Sequence, residues 1–163
     1  MAYITFYING RFYEPLARAV SIKTNVPELK NFCLKNECNY INILNEHSVL
    51  ASVSEFEILS SEFSASTKKI GFLKWAWVFE KNGLEQRIVL SKELEYSIGD
   101  RVVAKIIDGA DNNVFSLLWR FIFPRKSMVQ QKKYIKIEFD SDALDPLFAY
   151  CLLMRKLLRK YSS

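Results

Sequence analysis

The sequence predicts an α+β protein. Its expected core is an antiparallel, hairpin-rich curved sheet or partial barrel, with one helix near residues 26–36 and an apolar C-terminal helix near residues 145–160 packed against or inside the sheet. Three observations predict this. Short segments of strand composition are separated by Asn-Gly and Gly-Asp pairs, the punctuation of tight hairpins. Hydrophobic residues make up 50% of the chain, with 12 Phe, 8 Tyr and 3 Trp but only 5 Gly and 4 Pro, so a large aromatic core is available and a low-complexity chain is excluded. The stretch Leu147 to Met154 is apolar or aromatic at every position.

The elements follow in order. Tyr3 to Ile8 has strand composition, Asn9-Gly10 offers a turn, and Arg11 to Tyr13 begins a return strand that resumes after Pro15 over Leu16 to Ile22. Asn25 as cap and Pro27 in the first turn predict a helix to about Asn36, with Leu29, Phe32 and Cys33 as its buried stripe. Asn39 to Leu44 and Ser48 to Val53 form a hairpin around Asn45-Glu46-His47. Ser60 to Thr67 holds five Ser/Thr residues and reads as a loop, the one place where a single domain over 1–163 would separate into two subdomains.

Ile70 to Glu80 reads as one strand, with Trp75, Trp77 and Phe79 on one face by the period of two. Alternating aromatics of this kind form the inner face of a sheet more often than a ligand platform. Asn82-Gly83 turns the chain into Leu84 to Leu90. Glu95 to Ile98 and Arg101 to Ile107 pair around Gly99-Asp100, and Tyr134 to Phe139 alternates cleanly. Val114, Leu117, Leu118 and Phe121 fall at helical spacing before Pro124, although a buried strand suits the same apolar run.

The C-terminal helix is expected to start at an Asp142 or Asp145 cap, with Pro146 in its first turn. A surface helix shows an apolar stripe, whereas this one is apolar all round, so it is expected to be enclosed. Its apolar run of about eight residues falls well short of the roughly 20 needed to span a bilayer. In this outline, a run such as Leu147 to Met154 at the end of a hairpin-rich chain, the sequence is similar to tubby-like and scramblase-like folds, which enclose an apolar helix in a β-barrel. That resemblance implies a lipid headgroup as one class of ligand.

Chemistry-bearing motifs are sparse. Cys33, Cys38 and Cys151 are odd in number and lack metal-site spacing, so free thiols in a reducing compartment are expected. His47 is the sole histidine and lies in a turn without a family signature around it. No Walker loop, dinucleotide fingerprint or zinc-protease motif occurs. Asp140, Asp142 and Asp145 have the chemistry to gather a divalent cation, but helix capping is the simpler role. Asp108 and Asp111 sit in a Gly/Asn-rich stretch without calcium-loop spacing. No catalytic residue, metal site or cofactor is therefore expected. The N-terminus lacks the pattern of an export signal, which makes the cytoplasm the expected location.

Charge is the informative feature. Met1 to Phe115 holds 13 Lys/Arg against 14 Asp/Glu, while Ser116 to Ser163 holds 10 against 4, so the net +5 is concentrated in the last third. Such asymmetry predicts an acidic partner. The candidate partner-binding residues are Arg120, Arg125, Lys126, Lys132, Lys133, Tyr134 and Lys136, with a second basic cluster at Arg155, Lys156, Arg159 and Lys160. Trp119, Phe123 and Tyr134 lie near these charges, an arrangement also suited to stacked bases. The expected function is a non-enzymatic interaction protein (regulator, inhibitor, immunity or adaptor type) that docks an acidic protein surface. Nucleic acid is the alternative partner, and an anionic membrane surface a further one.

Overall fold

The computed structural model describes residues 1–8, 20–37, 39–46, 48–72, 74–91, 94–110 and 133–161. They form a 12-stranded antiparallel sheet and one long helix. The strands are β1 (Ala2–Ile8), β2 (Val20–Thr24), β3 (Phe32–Glu37), β4 (Tyr40–Asn45), β5 (Ser48–Val53), β6 (Glu57–Ser60), β7 (Ser64–Gly71), β8 (Lys74–Lys81), β9 (Leu84–Leu90), β10 (Glu95–Ile98), β11 (Arg101–Ala110) and β12 (Lys133–Phe139). The helix α1 spans Pro146–Tyr161. From β3 to β12 each strand pairs with its neighbour in sequence. The order then passes through β1 and ends on β2, giving β2-β1-β12-β11-β10-β9-β8-β7-β6-β5-β4-β3.

Pairing of β1 with β12, from Ala2↔Phe139 to Ile8↔Lys133, joins the first strand to the last. Open sheets of more than about ten twisted strands tend to curl. Here the sheet curls around α1. Tyr150 on the helix stands edge-on to Phe6 of β1, with ring centres 5.3 Å apart, and to Phe32 of β3, at 5.4 Å. Those strands lie near opposite ends of the sheet order, so one ring reaches both. Phe148 fills another side, 4.8 Å from Phe79, 5.7 Å from Phe63 and 6.1 Å from Trp77.

Enclosure explains the helix composition. Every residue from Phe148 to Met154 is buried, as is Leu157, and they meet inward-facing Ile4, Phe6, Ile41, Ile43, Val53, Ile135, Ile137 and Phe139. A helix surrounded by sheet has no polar face to place, and each fully buried Leu or Phe contributes about 1.5–3 kcal/mol. No helix among the described residues is long and apolar enough to cross a membrane.

The α+β curved sheet and the C-terminal helix match the sequence expectation, but several elements differ. The helix expected near residues 26–36 is absent. Val26 is extended (φ −94°, ψ 110°), Pro27–Leu29 make a single 3-10 turn, and β3 follows. Cys33 of the supposed stripe is exposed, while Phe32 and Leu34 are half-buried with period two. Six register pairs with β4, Phe32↔Asn45 to Glu37↔Tyr40, replace a helix too short to carry its own nucleation cost. Asn25 caps no helix. Its Oδ1 accepts from the Tyr3 N–H at 2.8 Å, and its Nδ2 donates to the Met1 carbonyl at 3.1 Å.

Ser60 to Thr67 is the β6–β7 hairpin rather than a loop, with Ala65 and Phe63 buried in it. The strand expected over Ile70 to Glu80 is interrupted by a turn at Phe72, and β8 starts at Lys74. Ile8 at the end of β1 pairs with Val20 at the start of β2. Residues 9–19, His47 and Val114 to Phe123 lie outside the described residues. The Asn82-Gly83 turn is as expected, with φ of 53° and 75°, the left-handed pair that glycine makes cheap.

Candidate interaction surface at the C-terminal end of the helix

Antiparallel strands sort the molecule into two ends along the helix axis. Phe139 leads through Asp140 to Asp145 into the start of α1, so β12 ends where the helix begins. Asp145 caps that start, accepting from the Leu147 N–H at 3.0 Å and the Phe148 N–H at 3.4 Å. It also takes Lys81 Nζ at 2.8 Å, which fixes the end of β8 here. Asp140 pairs with Arg101 and accepts from the Asp142 N–H at 3.0 Å. The two best-placed acids of the Asp140/Asp142/Asp145 cluster are thus engaged in capping, turn-forming and ion-pairing. No group of three or more metal-ligating side chains is assembled among the described residues.

The opposite end receives the C-terminus of the helix. Arg155 Nε donates to the Glu55 carbonyl at 2.6 Å, in the β5–β6 turn, and its guanidinium lies 4.9 Å from the Trp77 ring centre. By strand direction, the last residues of β1, β3, β5, β7, β9 and β11 lie at this end. So do the first residues of β4, β6, β8, β10 and β12.

The sequence-predicted residues fall here as follows. Arg120, Arg125, Lys126 and Lys132 lie outside the described residues; the residues flanking that segment, Ala110 and Lys133, are register partners at this end. Tyr134 and Lys136 are half-buried on β12 and face away from the helix, since Ile135 and Ile137 take the inner positions. The Tyr134 ring lies 6.2 Å from that of Tyr7 and packs over Gly109, where an added Cβ would sit 2.8 Å from its hydroxyl. Lys136 Nζ binds Glu138 at 2.5 Å and lies 5.1 Å from the centre of the Tyr3 ring. In the second cluster Arg155 is buried, at 9% exposure, whereas Lys156 is half-exposed. Arg159 and Lys160 belong to the last turn of α1.

Three lysines that sequence reasoning passed over join this end: Lys68 and Lys69 on β7 and Lys74 on β8, all exposed. None has an acidic partner among the described residues. By contrast Glu37 is held by Lys35 at 2.5 Å, which lowers its pKa, and Glu95 by Lys105 at 2.9 Å. Reading Ser60 to Thr67 as loop and Ile70 to Glu80 as strand hid the hairpin between them; Gly71 inside a strand pattern was the available signal. Trp77 and Phe79 are core, as the alternation implied, but Trp75 is 48% exposed.

The most perturbed titratable groups sit where no substrate reaches. Burial raises the Tyr150 phenol, with lesser contributions from Cys151 and Cys33, and raises the fully buried Cys151 thiol. Among the described residues, Lys68, Lys69 and Lys74 are exposed charged groups without an acidic partner at the helix's C-terminal end. No family model, curated protein or solved structure matches the chain.

Proposed function

We propose that the protein is a non-enzymatic interaction protein that docks an acidic partner surface with the end of the sheet where α1 terminates. The observation that carries this is directional. The helix's basic last turn, the start of β12 and Lys68, Lys69 and Lys74, which have no acidic partner among the described residues, share one end with Glu55, Glu57 and the lysine-paired Glu37 and Glu95, while Asp140, Asp142 and Asp145 gather at the other. Clustered charge of one sign attracts an opposite surface and speeds encounter, and salt screens it.

Retention on a heparin resin, used as a generic polyanion, tests the proposal with a charge-matched control. Lys132→Glu/Lys133→Glu should elute at lower salt than the parent chain. Lys23→Glu/Lys30→Glu, which makes the same charge change toward the opposite end, should elute nearer the parent. Equal losses in the two double variants would mean that net charge alone governs binding, and the basic end would have no special role.

A further inference from the structure

We propose that the β7–β8 hairpin is a membrane-docking element whose apolar tip enters the headgroup region of an anionic bilayer while its lysines sit against the lipid phosphates. This inference rests on the proposed docking by the basic end and names the partner of that end as a lipid surface.

The hairpin outruns the core. On β7 the residues Lys68, Lys69, Ile70 and Gly71 are exposed in succession, so neither face of the ribbon is covered there. Opposite them, Lys69 pairs with Trp75 and Gly71 with Lys74. The tip is apolar: Phe72 is 89% exposed, Trp75 48% and Ile70 40%. Exposed apolar side chains clustered at one tip mark an interaction site, unlike scattered single ones. From Phe63 to Phe79 the sequence contains three lysines and no Asp or Glu, so nothing acidic on the ribbon opposes an anionic surface.

The composition selects among anionic partners. Nucleic acid offers flat bases to Trp75 and Phe72, but no apolar counterpart for Ile70. A folded protein would need a pocket shaped to a projecting ribbon. A bilayer interface accepts aliphatic and aromatic groups from both faces at once, favours tryptophan at headgroup depth, and lets lysine stems lie along apolar surface with their ammonium groups at phosphate level. Each lysine near an anionic leaflet contributes roughly five-fold in partitioning. Trp77, two residues along the strand from Trp75, carries Arg155 on its ring, so the ribbon lies close to the helix's basic end.

Co-sedimentation with phosphatidylcholine vesicles, with and without phosphatidylserine, tests the inference. The intact chain should sediment with the anionic vesicles only, and less at high salt. Ile70→Ser/Phe72→Ser should weaken partitioning about ten-fold or more, as should Lys68→Glu/Lys69→Glu. Brominated acyl chains should quench tryptophan fluorescence in the parent, and Trp75→Phe should remove most of that quenching. Because these side chains are exposed, unchanged thermal melting will show that the variants fold.

Vesicle binding that ignores Ile70→Ser/Phe72→Ser overturns the inference and leaves the basic end standing. Heparin retention with no vesicle binding does the same. Phe72-dependent binding of a thymidine oligonucleotide without vesicle binding makes nucleic acid the partner instead. Failure on both heparin and vesicles removes both proposals.

Discussion

Arg155 lies with its guanidinium over the indole of Trp77, 4.9 Å from the ring centre, in a site where only 9% of the residue is exposed. A cation there does not wait for a partner. It is held by the π-face on one side and by the Glu55 carbonyl on the other, and it ties the end of α1 to the β5–β6 turn and to β8.

Arg155→Ala should therefore lower stability by about 2–4 kcal/mol, because it strips packing from Trp77 and leaves the Glu55 carbonyl without this donor. Arg155→Lys should restore only part of the loss, since an ammonium lacks the planar fork. Urea unfolding followed by tryptophan fluorescence checks both. Heparin retention of folded Arg155→Lys should match the parent.

Asp145 joins two devices, the helix cap and the ion pair with Lys81, and substitution separates them. Asp145→Asn keeps a cap acceptor and loses the charge, whereas Asp145→Ala loses both and should cost about 1 kcal/mol more. Lys81 has its pKa raised above 10.5, chiefly by the hydrogen bond it donates to Asp145 and then by the charge of that carboxylate. A lysine pKa raised on folding contributes stability that is complete below the unfolded value and is lost as pH climbs through the folded one. The stability gap between the parent and Asp145→Asn should thus be constant from neutral pH to about 10 and narrow above it, as read by thermal melts across pH.

Tyr150 is sealed in the core with a hydroxyl that finds no hydrogen-bond partner among the described residues. A buried hydroxyl without a partner costs free energy, while the ring earns its place between Phe6 and Phe32. Tyr150→Phe should be neutral or stabilising by up to about 1 kcal/mol. Tyr150→Ala should cost about 3–5 kcal/mol, since it opens a cavity where the two sides of the sheet meet. Denaturant midpoints decide; marked destabilisation by Tyr150→Phe would show that the hydroxyl is bonded after all.

Gly109 and Tyr134 are register partners, and the ring covers the glycine so closely that a Cβ would lie 2.8 Å from both the ring carbon Cζ and the hydroxyl. Gly109→Ala should destabilise by about 1 kcal/mol, by pushing Tyr134 away from Tyr7. In Tyr134→Ala the same change should cost nothing or stabilise, because the clash is gone and alanine loses less chain entropy on folding than glycine. The coupling in this double-mutant cycle is the measurement.

Local pattern made much of the sheet legible. Period-two alternation in Tyr134 to Phe139 and the Asn82-Gly83 pair state their structure in adjacent residues, as does Asp145 just before the apolar run that opens with Leu147-Phe148. The apolar circumference of Leu147 to Met154 even announced enclosure, because no other solvent for eight such residues exists inside a small protein. Segment 26–36 was misleading for the complementary reason. Its helical spacing and Pro27 are local signals, and six cross-strand pairs with β4 outweigh them.

The sequence by itself determined the alternating strands, the sealed helix and the concentration of positive charge toward the C-terminus, since these depend on residue type and spacing alone. Only the tertiary structure decided which charges are free. Pairing distant strands withdrew Arg155 under Trp77, set Lys136 over the Tyr3 ring, and brought Lys68, Lys69 and Lys74 to the end where the helix finishes. Whether a side chain meets water or a neighbour depends on what the chain brings back from far away, and no window of adjacent residues contains that information.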